Sequence, residues 1–165
     1  MASNKTAPAA TIQSTYDNLT NNGFLPEQPL QIRKTIVERE NGKKYTLEVL
    51  DNKASVSYQV DGNIIKEGEK CDKLILVKYS DDEWAEIFVE LKGVDVPHAI
   101  EQLLTTLKKP IFKHPSNKVI KARIVATSFP SNKANPIMEK AKREFANKPY
   151  FCDLRGLKNG QKDKI

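Results

Sequence analysis

The chain has 165 residues, of which 39% are hydrophobic, and a formal net charge of +6. This length suits a single domain with a real core. No stretch approaches the roughly 18 apolar residues of a membrane helix, and the N-terminus lacks the hydrophobic segment of a signal peptide, so we expect a cytoplasmic protein. Its two cysteines, Cys71 and Cys152, are therefore expected to be reduced.

The N-terminal third predicts a mobile arm followed by antiparallel strands. Residues 1–30 are rich in Ala, Thr, Asn and Pro, and we expect an arm with at most one short helix near 11–19. Two alternating segments then flank Asn41-Gly42, which is a strong hairpin signal. With a further strand ending near residue 60, the pattern predicts an antiparallel meander over 34–60.

Two hydrophobic runs follow, predicted as strands over 71–79 and 84–92. Asp72 opens the first run, and Glu90 and Lys92 close the second. Because side chains alternate along a strand, Glu90 and Lys92 point the same way while Leu91 turns into the core. If the strands pair, the charged groups converge on one spot. Two carboxylates can hold a cation such as Mg²⁺, and a lysine can orient water or offset phosphate charge.

The remaining pattern predicts a βαβ unit and a second helix. Asp95 is a good N-cap, and apolar residues at helical spacing predict an amphipathic helix that ends before Pro110. A strand over 118–127 should then lie parallel to 84–92. We expect a second helix from Pro136 to about residue 147, a short strand over 150–154, and a disordered basic tail over 156–165.

The chain resembles the PD-(D/E)XK nuclease superfamily over about residues 70–127. The likeness rests on Asp72, then Glu90-Leu91-Lys92 at a strand end, then a helix that carries Gln102; Cys71 stands where Pro is frequent. It implies an α/β fold of restriction-endonuclease type, with a mixed central sheet flanked by helices in one nuclease-like domain over 31–155.

The resemblance also implies functional roles. The implied catalytic residues are Asp72, Glu90, Lys92 and Gln102. The implied ligands of Mg²⁺, with Mn²⁺ as the alternative ion, are Asp72, Glu90 and the carbonyl of Leu91. A further acidic residue of the family has no clear counterpart; Glu38, Glu40 and Glu48 are candidates by position.

Charge is distributed unevenly along the chain. Residues 1–104 carry 12 Lys or Arg and 17 Asp or Glu, a net of −5, whereas residues 105–165 carry 15 and 4, a net of +11. A basic half beside an acidic metal site suits a phosphodiester substrate. The expected phosphate contacts are Lys121, Arg123, Lys133, Lys140, Lys142 and Arg143.

These features predict a Mg²⁺-dependent nuclease, in the first instance an endonuclease, with DNA favoured over RNA, and they leave a homodimer open. Two alternatives stay open. The chain could be a nucleic-acid-binding module without turnover, or a protein-interaction domain that binds through the meander. A salt-bridged strand end on an unrelated α/β domain is the purely structural explanation. The relative positions of Asp72 and Glu90 discriminate among them.

Overall fold

The computed structural model describes residues 12–91, 95–127 and 136–165, which form an α/β fold. Its helices are α1 (Thr15–Asn21), α2 (Val96–Leu107) and α3 (Pro136–Ala146), with a single 3₁₀ turn at Pro110–Phe112. Its strands are β1 (Gln28–Ile32), β2 (Thr35–Glu40), β3 (Lys43–Glu48), β4 (Ala54–Gln59), β5 (Lys73–Ser80), β6 (Glu83–Leu91), β7 (Asn117–Ala126), β8 (Cys152–Lys158) and β9 (Lys162–Lys164). In these ranges no helix has both the length and the apolar character needed to cross a membrane.

Six strands form a mixed sheet in the order β1-β4-β5-β6-β7-β8. The first four strands pair antiparallel, and β6, β7 and β8 pair parallel. Helix α2 connects the parallel strands β6 and β7, so the predicted βαβ unit is confirmed. Asp95 caps this helix by accepting a hydrogen bond from the backbone N–H of His98 at 3.0 Å.

A second sheet has the order β2-β3-β9. The predicted hairpin is confirmed: Asn41 and Gly42 adopt φ angles of +53° and +73°, which these two residue types tolerate best. The rest of the predicted meander is wrong. Asp51 and Asn52, both at positive φ, turn the chain away from the hairpin, and β4 joins the six-stranded sheet between β1 and β5.

The large sheet is covered on both faces. The three helices cover one face, where Phe88, Leu103 and Phe145 belong to one apolar cluster. The small sheet covers the opposite face, where Leu47 and Ile87 belong to a second cluster. The predicted second helix is confirmed as α3, whose inward face consists of the buried residues Met138, Ala141 and Phe145.

The described part of the predicted N-terminal arm is packed rather than mobile. Ser14 caps α1 by accepting from the Asp17 N–H, Leu19 is buried, and the Tyr16 ring stacks on Trp84 at 5.6 Å. Strand β1 pairs with β4. Through these contacts, residues 12–30 form part of the domain. Residues 1–11 lie outside the described ranges.

The predicted disordered tail is also ordered. Residues 156–158 complete β8, and β9 pairs parallel with β3. Asp163 on β9 accepts hydrogen bonds from Arg123 Nε and from the Tyr45 hydroxyl, both at 2.7 Å. Burial alone would raise the pKa of Asp163, but these two partners hold it below its usual range. The charged segment that we expected to be disordered thus supplies Asp163, which neutralises the buried guanidinium of Arg123.

Removing this guanidinium should destabilise the protein strongly. Arg123 is fully buried and donates to the buried Asp163 carboxylate and to the exposed Asp153 carboxylate, so Arg123→Met would leave the Asp163 anion buried without its cation. We expect the free energy of unfolding to fall by about 3–5 kcal/mol, as measured by urea denaturation. The control is Arg155→Met, because Arg155 pairs with Asp153 at 3.7 Å on the surface; it should change stability by about 1 kcal/mol or less. Equal losses in the two variants would contradict this role.

Candidate functional site

The start of β5 and the end of β6 meet at one edge of the large sheet. Regular pairing of the two strands runs to Lys73 and Val89. Beyond it, the Asp72 N–H donates to the Val89 carbonyl at 3.2 Å, and Asp72 Oδ2 accepts from the Leu91 N–H at 2.7 Å. The Asp72 carboxylate therefore lies against the residue that follows Glu90, and both acidic residues are buried. The structure therefore places the two acidic residues that the sequence singled out at the same end of two paired strands.

The charges of both carboxylates affect the pKa of the Cys71 thiol. Burial is the main reason why the pKa of its thiol is raised, and the charges of Glu90 and then Asp72 raise it further. Both carboxylates therefore act on the same thiol. A thiol with a raised pKa stays protonated, which makes a nucleophilic or metal-binding role for Cys71 unfavourable.

Helix α2 holds the segment that leads into Asp72. Gln102 Nε2 donates to the Lys70 carbonyl at 3.1 Å, and Thr106 Oγ1 accepts from the Cys71 N–H at 2.9 Å. His98, one turn earlier, contacts Glu69 at 3.0 Å. These contacts give Gln102 a positioning role, and its predicted catalytic role stays a prediction.

The carbonyl of Leu91 has a partner from the small sheet. Asn41, in the turn between β2 and β3, donates from Nδ2 to this carbonyl at 3.3 Å. The carbonyl oxygen has a second lone pair, so it can still accept another contact or a cation. The sequence marked Asn41 only as a turn residue and gave no sign of this contact. Lys92, the next residue of the predicted site, lies outside the described residues.

The same turn carries a basic groove, which we call the hairpin groove. This concavity of about 550 Å³ is bounded by residues 39–44 and by Asn159 and Gly160. The two sides of the groove are joined by a hydrogen bond from the Lys44 backbone N–H to Asn159 Oδ1 at 2.8 Å. Within the described ranges, Arg39, Lys43 and Lys44 make no ion pair. The groove therefore offers positive charge beside the strand end, and sequence reasoning missed it.

The predicted phosphate contacts divide into four groups. Arg123 is wrong as a phosphate contact, because its guanidinium is buried between the sheets. Lys121 is half-buried and donates to the Lys164 carbonyl at 3.3 Å, and burial lowers its pKa. On the outside of α3 lie Lys140, Lys142 and Arg143. Lys133 lies outside the described residues.

Next to Asp72, Lys73 is buried among acidic side chains on the opposite face. Its Nζ lies 2.9 Å from Glu27, 3.7 Å from Glu40 and 3.9 Å from Glu38. Burial, followed by a hydrogen bond with Glu27, raises the pKa of Glu38 to about 8. Glu38 and Glu40 thus serve this cluster, while Glu48 lies 3.9 Å from Lys162.

Comparison of the chain with protein-family models, curated proteins and solved structures finds no match. In the described part of the chain, no three His, Cys, Asp or Glu side chains are grouped to hold a metal ion. A cation at the strand end would therefore rely on two carboxylates, from Asp72 and Glu90, and on backbone or solvent oxygens.

The raised pKa of Glu38 has a measurable consequence. A carboxyl whose pKa is higher in the folded protein than in the unfolded chain stabilises the fold while it is protonated. With an ordinary value of 4.5 and a folded value of about 8, this contribution is present below about pH 4.5 and is lost as the pH rises through about 8. In Glu38→Gln, the free energy of unfolding should fall less steeply between pH 5 and pH 8 than in wild type, as measured by urea titrations.

The matched control is Glu48→Gln, which removes a surface carboxylate of the same sheet and should keep the wild-type slope. Parallel slopes for Glu38→Gln and wild type would show that another group holds the proton.

Proposed function

We propose that this chain is a metal-dependent nuclease that hydrolyses phosphodiester bonds, with DNA as the first substrate to test. The observation that carries the proposal is the 2.7 Å hydrogen bond from the Leu91 N–H to Asp72 Oδ2. It joins the start of β5 to the end of β6, so that Asp72 and Glu90 occupy one edge of the sheet.

The order of elements supports the same proposal. Strands β4, β5 and β6 pair antiparallel, α2 crosses over, and β7 returns parallel to β6. This agrees with the mixed central sheet of the restriction-endonuclease-like fold that the sequence resemblance implies. Helices cover one face of the sheet, and the acidic strand end lies at the carboxyl edge of β6.

The donor set at this edge suits a hard cation. Asp72 and Glu90 offer carboxylate oxygens and Leu91 a carbonyl oxygen, which are the ligand types that Mg²⁺ prefers. A bound Mg²⁺ would polarise the scissile phosphate and lower the pKa of a water molecule. Asn41 and Thr106 contribute by holding the backbone on either side of the two acids. The resemblance assigns Lys92 to the orientation of the attacking water.

Positive charge on two sides of this edge supports a polyanionic substrate. The hairpin groove reaches the Leu91 carbonyl through Asn41. On the helical side, α3 leads into β8, which is parallel to β7, so α3 begins near the carboxyl edge of the sheet and its last turn lies toward the other edge. Lys140 is exposed in the first half of α3, and Arg143 is exposed in its last turn. We propose that a strand of nucleic acid runs from the groove across the strand end toward α3, with its phosphates on these cations.

The direct test is cleavage of labelled DNA and RNA in Mg²⁺ or Mn²⁺ by the Glu90→Gln variant. The substitution keeps the side-chain shape but removes one charge from the proposed ligand set, so cleavage should fall by about 100-fold or more. Thermal unfolding should show a folded protein. The matched control is Glu83→Gln, since Glu83 is exposed at the other end of the same strand; it should cleave at the wild-type rate.

Wild-type activity in Glu90→Gln would assign cleavage to other residues or to a contaminant. A wild-type protein that binds nucleic acid but never cleaves it would favour the alternative of a binding module on the same fold. Absence of both binding and cleavage would leave the protein-interaction alternative.

Affinity for nucleic acid should depend on salt and on the hairpin groove. Replacing Arg39, Lys43 and Lys44 together by Gln removes three cations that make no ion pair in the described chain. Each lost phosphate contact should reduce the slope of log affinity against log salt by about 0.7–0.9, as measured by fluorescence anisotropy.

Lys140→Gln with Arg143→Gln tests the α3 side of the path in the same way. The control is Lys78→Gln, because Lys78 already pairs with Asp81 at 3.1 Å. If the groove variant keeps the wild-type salt slope, the substrate does not cross the groove.

A further inference from the structure

The turn between α3 and β8 exposes an aromatic ring to solvent. Phe151 is 62% exposed, whereas the next residue, Cys152, is buried. The φ angle of Phe151 is +47°, in the left-handed region that bulky side chains rarely adopt. Glycine at this position would relieve the backbone strain and remove the exposed apolar surface. Strain that is kept at an exposed aromatic residue is typical of functional sites.

The end of α3 holds the turn in this conformation. The backbone N–H groups of Tyr150 and Phe151 both donate to the Asn147 carbonyl, at 3.0 Å and 3.1 Å. The Tyr150 ring packs against the buried Phe145 ring, with the ring centroids 6.5 Å apart. Phe151 itself belongs to neither of the two apolar clusters of the described core. Its ring is therefore positioned by its neighbours without contributing to the core.

The Phe151 ring lines a cavity of about 460 Å³ at the start of β8. Lys142 and Ala146, at the end of α3, line the same cavity. Phe151 and Ala146 are exposed and Lys142 is half-buried, so a ligand can reach these three residues from solvent. The volume lies in the range of small-molecule sites and is sufficient for a single planar ring system.

The chain around this cavity is basic. Residues 136–158 contain six Lys or Arg and three Asp or Glu. Arg143 and Lys148 are exposed, and in the described ranges they make no ion pair. Lys142 lies 3.5 Å from Glu139 in a surface pair, and such a pair is weak enough to be exchanged for another anion. These three cations favour a negatively charged partner.

The acidic residue of the cavity does not oppose such a partner. Asp153 also lines the cavity, but its carboxylate accepts a hydrogen bond from Arg123 at 3.1 Å and lies 3.7 Å from Arg155. Its charge is therefore already compensated by two guanidinium groups.

We propose that Phe151, with Lys142, Arg143 and Lys148, binds single-stranded nucleic acid. One base would stack on the Phe151 ring, and the adjoining phosphates would contact the three cations. An aromatic ring beside cations binds single strands of many sequences, because every base has a flat face and every linkage carries a charge. The bases of a duplex are stacked on each other, so their faces are not available to the ring.

This surface is separate from the acidic strand end. Cys152 aligns through Ile120 with Glu86, which is four residues before Glu90. The separation is therefore about 13 Å along the strands and about 10 Å across two of them. The choice of nucleic acid as the partner rests on the proposed function, whereas binding at Phe151 needs neither the metal ligands nor cleavage.

The test measures binding by fluorescence anisotropy in EDTA, with a labelled oligo-dT of about 12 nucleotides and a duplex of the same length. Phe151→Ala should weaken single-strand binding about fivefold or more, as expected for the loss of one stacked base, and should leave duplex binding unchanged. Phe151→Tyr keeps a ring and should bind as wild type does. The matched control is Leu25→Ala, because Leu25 is 80% exposed and precedes β1, at the opposite edge of the sheet.

Two further variants separate stacking from a structural role. Phe151→Gly suits the positive φ angle, so it should melt at or above the wild-type temperature and yet bind single strands as weakly as Phe151→Ala. Phe151→Trp adds an exposed indole to a chain whose single tryptophan, Trp84, is buried. Oligo-dT should quench the fluorescence of Phe151→Trp and leave that of wild type unchanged.

Equal single-strand affinities of wild type and Phe151→Ala would overturn the proposal, as would equal losses on single strand and duplex. Absence of quenching in Phe151→Trp, or of any single-strand binding by wild type, would overturn it too. Cleavage is measured separately: single-strand binding through Phe151 without cleavage would refute only the nuclease, and Glu90-dependent cleavage with unchanged affinity in Phe151→Ala would refute only this surface.

Discussion

The Arg123 guanidinium, buried between the two sheets, is the constraint on which the rest of the architecture depends. A charge this deep is tolerated only if carboxylates and carbonyl oxygens surround it. Asp153 at the start of β8 and Asp163 on β9 supply them. Asp163 lies on β9, and the pairing of β9 with β3 holds this carboxylate over the large sheet. The ion pair thus joins β9 of the small sheet to β7 of the large sheet.

The hairpin formed by β2 and β3 links the Arg123 ion pair to the candidate site. Strand β3 carries Tyr45, whose hydroxyl donates to Asp163, and the turn that precedes β3 carries Asn41, which donates to the Leu91 carbonyl. The acidic strand end is therefore held from both faces, by α2 on one side and by the hairpin on the other. The proposed nuclease site would need ligands held within fractions of an ångström, and two segments that are distant in sequence would provide that support.

How far the sequence could predict this protein depends on the range of each interaction. The hairpin at Asn41, the cap at Asp95 and the meeting of Asp72 with Glu90 follow from local patterns and strand pairing. The burial of Arg123 does not, because Lys121 and Arg123 alternate with apolar residues as they would on a solvated face. Their cover comes from β9, and its Asp163 is separated by 118 residues from its partner Tyr45. Local periodicity holds no information about that contact.

Glutamates 38, 86 and 90 are all buried, and their surroundings give them different chemistry. Glu38 lies beside Lys73 and Glu27, and burial raises its pKa to about 8. Burial raises the pKa of Glu86 well above its usual range, which favours the protonated form. Glu90 shares its edge of the sheet with Asp72.

Only an ionised carboxylate is a good ligand for a divalent cation, whereas only a protonated one can donate a hydrogen bond. Glu86 and Glu90 lie four residues apart on one strand and on the same side of it, but Glu90, unlike Glu86, shares its end of the strand with the carboxylate of Asp72. The proposed nuclease would need the ionised form of Glu90, whereas burial favours the protonated form of Glu86.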